Sequence, residues 1–81
     1  MSADTDPKQT PVQTGELART FGGMTLPLEV LQSPAGYYLG TRDEDGMPYS
    51  RESIEYWRTR EQAEAALVDP SRSLWTQKPN P

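Results

Sequence analysis

GYYLGTRDEDGMPYSRESIEYW, residues 36–57, sets three consecutive acids and a glycine between two segments rich in Tyr, Leu, Ile and Trp. Antiparallel partners keep a constant sum of residue numbers, and each sheet face collects alternate residues. Pairing Leu39 with Ile54 opposes Tyr37 to Tyr56 and Thr41 to Glu52, which gives one face with aromatic and aliphatic rungs. The other face then carries Tyr38 across from Glu55, Gly40 across from Ser53 and Arg42 across from Arg51, a mostly polar set suited to a half-buried ribbon. Residues 43–50 become the tip, where Asp45-Gly46 supplies residue types that tolerate positive φ.

Outward from this hairpin, Leu26, Leu28 and Val30 alternate with polar or restricted positions as in a strand, and Pro27 marks its start as an edge. Ser33-Pro34-Ala35-Gly36 has the composition of a turn. After Trp57 the period lengthens. Thr59-Arg60-Glu61-Gln62 fits a capping box, Ala63, Ala66 and Leu67 share one helical face, and Pro70 stops the helix. Leu74 and Trp75 offer a last apolar anchor. The expected fold is therefore α+β: a small antiparallel sheet of two or three strands with one short helix packed on one face. Residues 1–23 are expected to be a disordered tail, because the first 20 hold few apolar side chains to offset roughly 1–2 kcal/mol of ordering entropy per residue. The domain is expected over 24–77, with a flexible C-terminus over 78–81.

Composition excludes several functions. An 81-residue chain holds one small domain. With no cysteine it has neither disulfides nor thiolate metal sites, and with no histidine it lacks the usual general base near neutral pH. Net charge is −4 with scattered basic residues, so no basic stripe exists for nucleic acid. No apolar run is long enough to cross a bilayer, and the polar, acidic MSADTDPKQT start is unlike a secretory signal. A cytoplasmic protein without cofactor is expected.

The closest match to a chemical motif is a calcium loop. The pattern D-x-[DN]-x-[DN]-G-x5-E falls on Thr41, Asp43, Asp45, Gly46 and Glu52, with only the first position wrong. Thr41 lacks the first carboxylate, Pro48 removes a backbone N–H, and the flanks read as strands where that loop needs helices. No metal site is therefore expected, although Asp43, Asp45 and Glu52 are the residues that would form one. Catalysis is not expected either, since a carboxylate pair needs a desolvating cleft and Ser50 and Ser53 have no histidine to activate them. The aromatics carry more. The hairpin register places Tyr38 and Trp57 opposite the helix-covered face, beside Arg42, Arg51 and Glu55. Unless the first strand, Trp75 or the N-terminal segment covers that face, it binds another protein or a second copy of the chain.

YYLGTRDEDG (37–46), YSRES (49–53), the TREQAEAAL helix (59–67) and the WTQKPNP ending resemble short uncharacterised proteins of proteobacteria and their plasmids or integrated elements. The resemblance implies an accessory role in a mobile element, such as an inhibitor of a host defence or a small regulatory adaptor. It implies no activity, cofactor or site residue. The expected function is non-catalytic protein binding. The alternative is an acidic mimic of nucleic acid built from Asp43, Glu44, Asp45, Glu52, Glu55, Glu61 and Glu64, and a further alternative is weak divalent-cation binding at the hairpin.

Overall fold

The computed structural model describes residues 13–81. Its elements run α1 (Glu16–Gly22), β1 (Glu29–Ser33), β2 (Gly36–Arg42), β3 (Pro48–Arg51) and α2 (Arg60–Val68). The strands form one antiparallel sheet in the order β1-β2-β3. The architecture is α+β, with a second helix where the sequence suggested one. Among the described residues no helix is long and apolar enough to cross a membrane.

β1 and β2 pair from Glu29↔Gly40 to Ser33↔Gly36, across the two-residue Pro34-Ala35 turn. The Ser33 hydroxyl accepts the Ala35 N–H at 3.1 Å and so fixes that turn. At the second hairpin the tip is shorter than expected. Asp43 N–H donates to Met47 O, while the Asp43 carboxylate accepts the N–H groups of Asp45 and Met47 at 2.9 and 3.0 Å. Gly46 sits at φ +82°, the positive-φ position anticipated there.

The register past this tip differs from the expected one. Gly40 opposes Arg51 and Thr41 opposes Ser50, with an irregularity between Thr41 and Arg42. Leu39 O then accepts both the Glu52 and the Ser53 N–H, at 2.8 and 3.0 Å. Two residues facing one is a bulge, and it changes which face the following residues occupy. Tyr37 consequently bridges Trp57 rather than Tyr56. Ile54, assigned to the core by the Leu39 pairing, is 46% exposed. The period-2 argument could not foresee the bulge, because its cause is a side chain: Ser53 Oγ accepts the Leu39 N–H at 3.0 Å and replaces the missing ladder bond.

The apolar core lies between the sheet and α2. Leu28, Leu39, Ala63, Ala66 and Trp75 are buried together, with Val30, Tyr37, Trp57 and Leu67 around them. Ala63 and Ala66 let the helix approach the strands, and the capping box is present, with Thr59 accepting the Gln62 N–H at 3.1 Å. Trp75 is the C-terminal anchor, whereas Leu74 is exposed. Beyond it the chain runs beside residues 52–54: Ile54 N–H donates to Thr76 O, Lys78 N–H donates to Glu52 O, and Ser53 bridges Gln77. Lys78, expected in a flexible end, is thereby tied to the domain.

The N-terminal expectation needs the larger correction. Residues 1–12 of the expected tail lie outside the described residues. Residues 13–23 are part of the fold: Gln13 O accepts the Leu28 N–H, Gly15 N–H donates to Leu26 O, and the Gln13 side-chain amide donates to Leu67 O. Leu17 and Ala18 are 4% and 1% exposed. The segment is poor in apolar residues, yet these two and a buried polar junction suffice to order it.

Candidate functional site

Gly15 stands at the N-cap position before α1 and offers no side chain to cap the helix. The first free N–H groups of a helix need an acceptor, and a carboxylate also suits the positive end of the dipole. That acceptor is Glu52, 35 residues away in sequence. Its Oε1 and Oε2 accept the Leu17 N–H at 2.9 and 3.1 Å, and Oε2 accepts the Ala18 N–H at 3.1 Å. The Ser50 hydroxyl donates to Oε2 at 2.6 Å and the Gln77 amide to Oε1 at 2.7 Å. Thr41 Oγ1 lies 2.7 Å from Ser50 Oγ. Because the Ser50 hydrogen points to Glu52, Thr41 is the donor in that pair. Glu52 thus joins α1, β2, β3 and the C-terminal segment from a position of zero exposure.

Gly15 is required here by space. A Cβ at this position would stand 2.5 Å from Thr41 Cγ2 and 2.6 Å from Glu52 Oε2. Burial alone would push the Glu52 carboxyl upward, but the hydrogen bonds from Leu17, Ser50, Gln77 and Ala18 outweigh it and hold the group below the usual carboxylate range. A carboxylate so stabilised is a weak base. Its chemistry is that of a fixed anchor.

Beside this anchor an open cleft of about 280 Å³ separates α1 from β3, lined by Leu17, Ala18, Phe21, Gly22, Tyr49, Ser50, Arg51, Lys78 and Pro81. Its two aromatic walls are exposed: Phe21 at 60% and Tyr49 at 42%. Tyr49 lies directly on the α1 backbone, since a Cβ at Gly22 would stand 2.1 Å from its hydroxyl. The charged lining residues are both basic.

The residues expected to bind a partner are dispersed. Tyr38 is on the sheet face away from α2, as anticipated, but is 7% exposed. Its ring crosses Gly40 toward Leu31 and meets Tyr56 edge to face, with centroids 5.8 Å apart. Burial raises the Tyr38 phenol pKa, Tyr56 adds to this, and Arg51 opposes it. Arg51 lies 4.7 Å over the Tyr56 ring and donates to its hydroxyl at 2.6 Å and to Ser53 O at 3.0 Å. That face is thus covered from within the chain, by Leu31 of the first strand, one of the three covers foreseen, and by Tyr56. Trp57 is corrected to the opposite side, against the core under α2, because the bulge at Ser53 reverses its facing. Arg42 pairs with Glu29, its Nε donating at 3.0 Å, and Glu55 accepts the Thr76 N–H at 2.8 Å. Of the five, only Arg51 borders the cleft.

The calcium-like residues are also divided. Asp43 is engaged in the hairpin turn, Asp45 is exposed at its tip, and Glu52 is buried under α1. Among the described residues no three Asp, Glu, His or Cys side chains are grouped to hold an ion. Glu52 is likewise withdrawn from any acidic surface that could imitate nucleic acid.

Sequence reasoning missed Leu17, Phe21, Tyr49 and Lys78. One signal was present for the first two: Leu17, Ala18 and Phe21 share a helical face, and Gly22-Gly23 follows as a C-terminal stop. Compared with known proteins, the chain matches no family model, no curated protein and no solved structure.

Proposed function

We propose that the chain is a non-catalytic protein-binding module that engages its partner through the cleft between α1 and β3. The observation carrying this reading is the pair of exposed aromatics, Phe21 and Tyr49, lining one cleft in a domain where Tyr37, Trp57 and Trp75 belong to the core and Tyr38 is buried. Aromatic side chains at a concave site are the usual anchors of protein recognition. Catalysis is disfavoured by the chemistry of the lining. Ser50 donates its proton to a carboxylate already saturated by other donors, and the sequence offers no histidine to draw that proton away. A small adaptor of this kind also fits the accessory role that the resemblance to short uncharacterised proteins of proteobacteria and their mobile elements implies.

Immobilised chain, incubated with a lysate of its native host and compared with Phe21→Ser and Tyr49→Ser, tests the reading. A partner retained by the parent and lost by both variants, with far-ultraviolet circular dichroism unchanged, is the expected result. A partner retained equally by all three places recognition elsewhere. If binding instead collapses with rising salt and ignores both substitutions, the acidic-mimic alternative takes over.

A further inference from the structure

We propose that the cleft accepts a peptide segment bearing an acidic side chain next to a large apolar one. This rests on the reading of the cleft as a binding site and adds the chemistry of its occupant. The protein as a whole is acidic, at net −4, yet the charged residues lining the cleft are Arg51 and Lys78. Elsewhere Arg19 pairs with Glu16, Arg42 with Glu29 and Arg60 with Glu64, and Arg72 lies over the Trp75 ring, while Arg58 pairs with no carboxylate among the described residues. Among the described residues neither Arg51 nor Lys78 has a carboxylate partner. Arg51 is held over Tyr56 and bonded to its hydroxyl and to backbone oxygens. Lys78 is anchored by its backbone N–H to Glu52 O, at 2.7 Å, and its ammonium makes no hydrogen bond to the described residues. Position without a partner is what a site for an external anion requires.

The acidic side chain bonded to the lining residue Ser50 is Glu52, which has no exposure and four donor groups around its oxygens. It is closed off behind Ser50 and cannot swing out to pair with Lys78 without releasing α1. Apart from Ser50 the remaining lining is mainly apolar, with Leu17, Ala18, Phe21, the Tyr49 ring and Pro81. An apolar side chain packed against Phe21 and Tyr49 would leave an adjacent carboxylate for Lys78, which lines the same cleft. A single carboxylate matches the charge on offer better than a dianionic phosphate does, because the Arg51 guanidinium is already partly engaged.

A random heptapeptide library displayed on phage and selected against the full chain at low salt is the test. Enriched sequences should place Asp or Glu within a residue or two of Phe, Leu, Trp or Met. A synthetic peptide of that type should bind roughly fivefold more weakly to Lys78→Gln, and similarly when its own acid is made the amide, as for an exposed ion pair. Lys78→Gln changes a side chain without internal partners, so the fold persists. Enrichment of apolar sequences without acids, lost with Phe21→Ser yet indifferent to Lys78→Gln, would overturn the charge inference and leave the cleft as a binding site. Absence of any enrichment, or enrichment indifferent to Phe21→Ser and Tyr49→Ser, would remove both.

Discussion

The molecule is held together in two different ways on its two sides. Under α2, Leu28, Leu39, Ala63, Ala66 and Trp75 make an apolar core, and stability there scales with the area each side chain removes from water. Under α1, one carboxylate gathers donors from a helix start, a strand and the C-terminal segment. An apolar core tolerates repacking, whereas a buried polar junction is fully satisfied or strongly unfavourable. The cleft stands beside the second kind of junction. Its wall, α1, is only seven residues long and depends on Glu52 for its first hydrogen bonds.

The sharpest way to break this contrast is to remove each centre in turn. Glu52→Ala should cost about 3–5 kcal/mol, because it leaves the Leu17 and Ala18 N–H groups, Ser50 and Gln77 without an acceptor in the interior. Chemical denaturation measures the loss. Leu39→Ala should cost about 2–5 kcal/mol through a cavity under α2. The two variants should differ in kind as well as in size. Hydrogen exchange after Glu52→Ala should accelerate first in α1, while exchange after Leu39→Ala should accelerate throughout the sheet and α2. A loss of protection that is uniform in both variants would mean the two sides are one cooperative unit.

A smaller effect is expected at Thr59→Ala, about 1 kcal/mol, from loss of the capping-box acceptor on α2. Thermal unfolding resolves it. The smallest is Ile54→Ala, within about 0.5 kcal/mol, since the side chain is nearly half exposed past the bulge. A large loss there would restore the Leu39–Ile54 pairing and refute the register.

This comparison also marks what was legible in the sequence. Ala63, Ala66 and Leu67 at helical spacing, the Thr59–Gln62 box and Gly46 at the tip each carry a local rule, and the apolar side follows from such rules. The polar junction does not. Nothing local links Glu52 to Leu17 and Ala18, because the bond joins a helix start to a strand end 34 and 35 residues apart. In the linear pattern Glu52 reads as one more surface acid, and its burial becomes visible only when Gly15 leaves room for it. The same holds for Ser53, whose hydroxyl stands in for a backbone group and so moves Trp57 to the core side and Ile54 to the surface. The candidate site was the least legible part, since one wall is a helix that a sparse apolar count had assigned to a tail.

The central claim, that a buried, ionised Glu52 holds α1 in place, is tested most directly by a carboxyl-carbon NMR titration of glutamate-labelled protein, following the Leu17 and Ala18 amides alongside. A carboxyl whose folded pKa is depressed stabilises the fold fully above the ordinary glutamate value and loses that contribution as pH falls through the depressed value. The Glu52 signal should therefore titrate below the ordinary glutamate range, with the two amide shifts and α1 protection lost in the same step. A Glu52 that titrates at the ordinary value, with the Leu17 and Ala18 amides unmoved, would contradict the account.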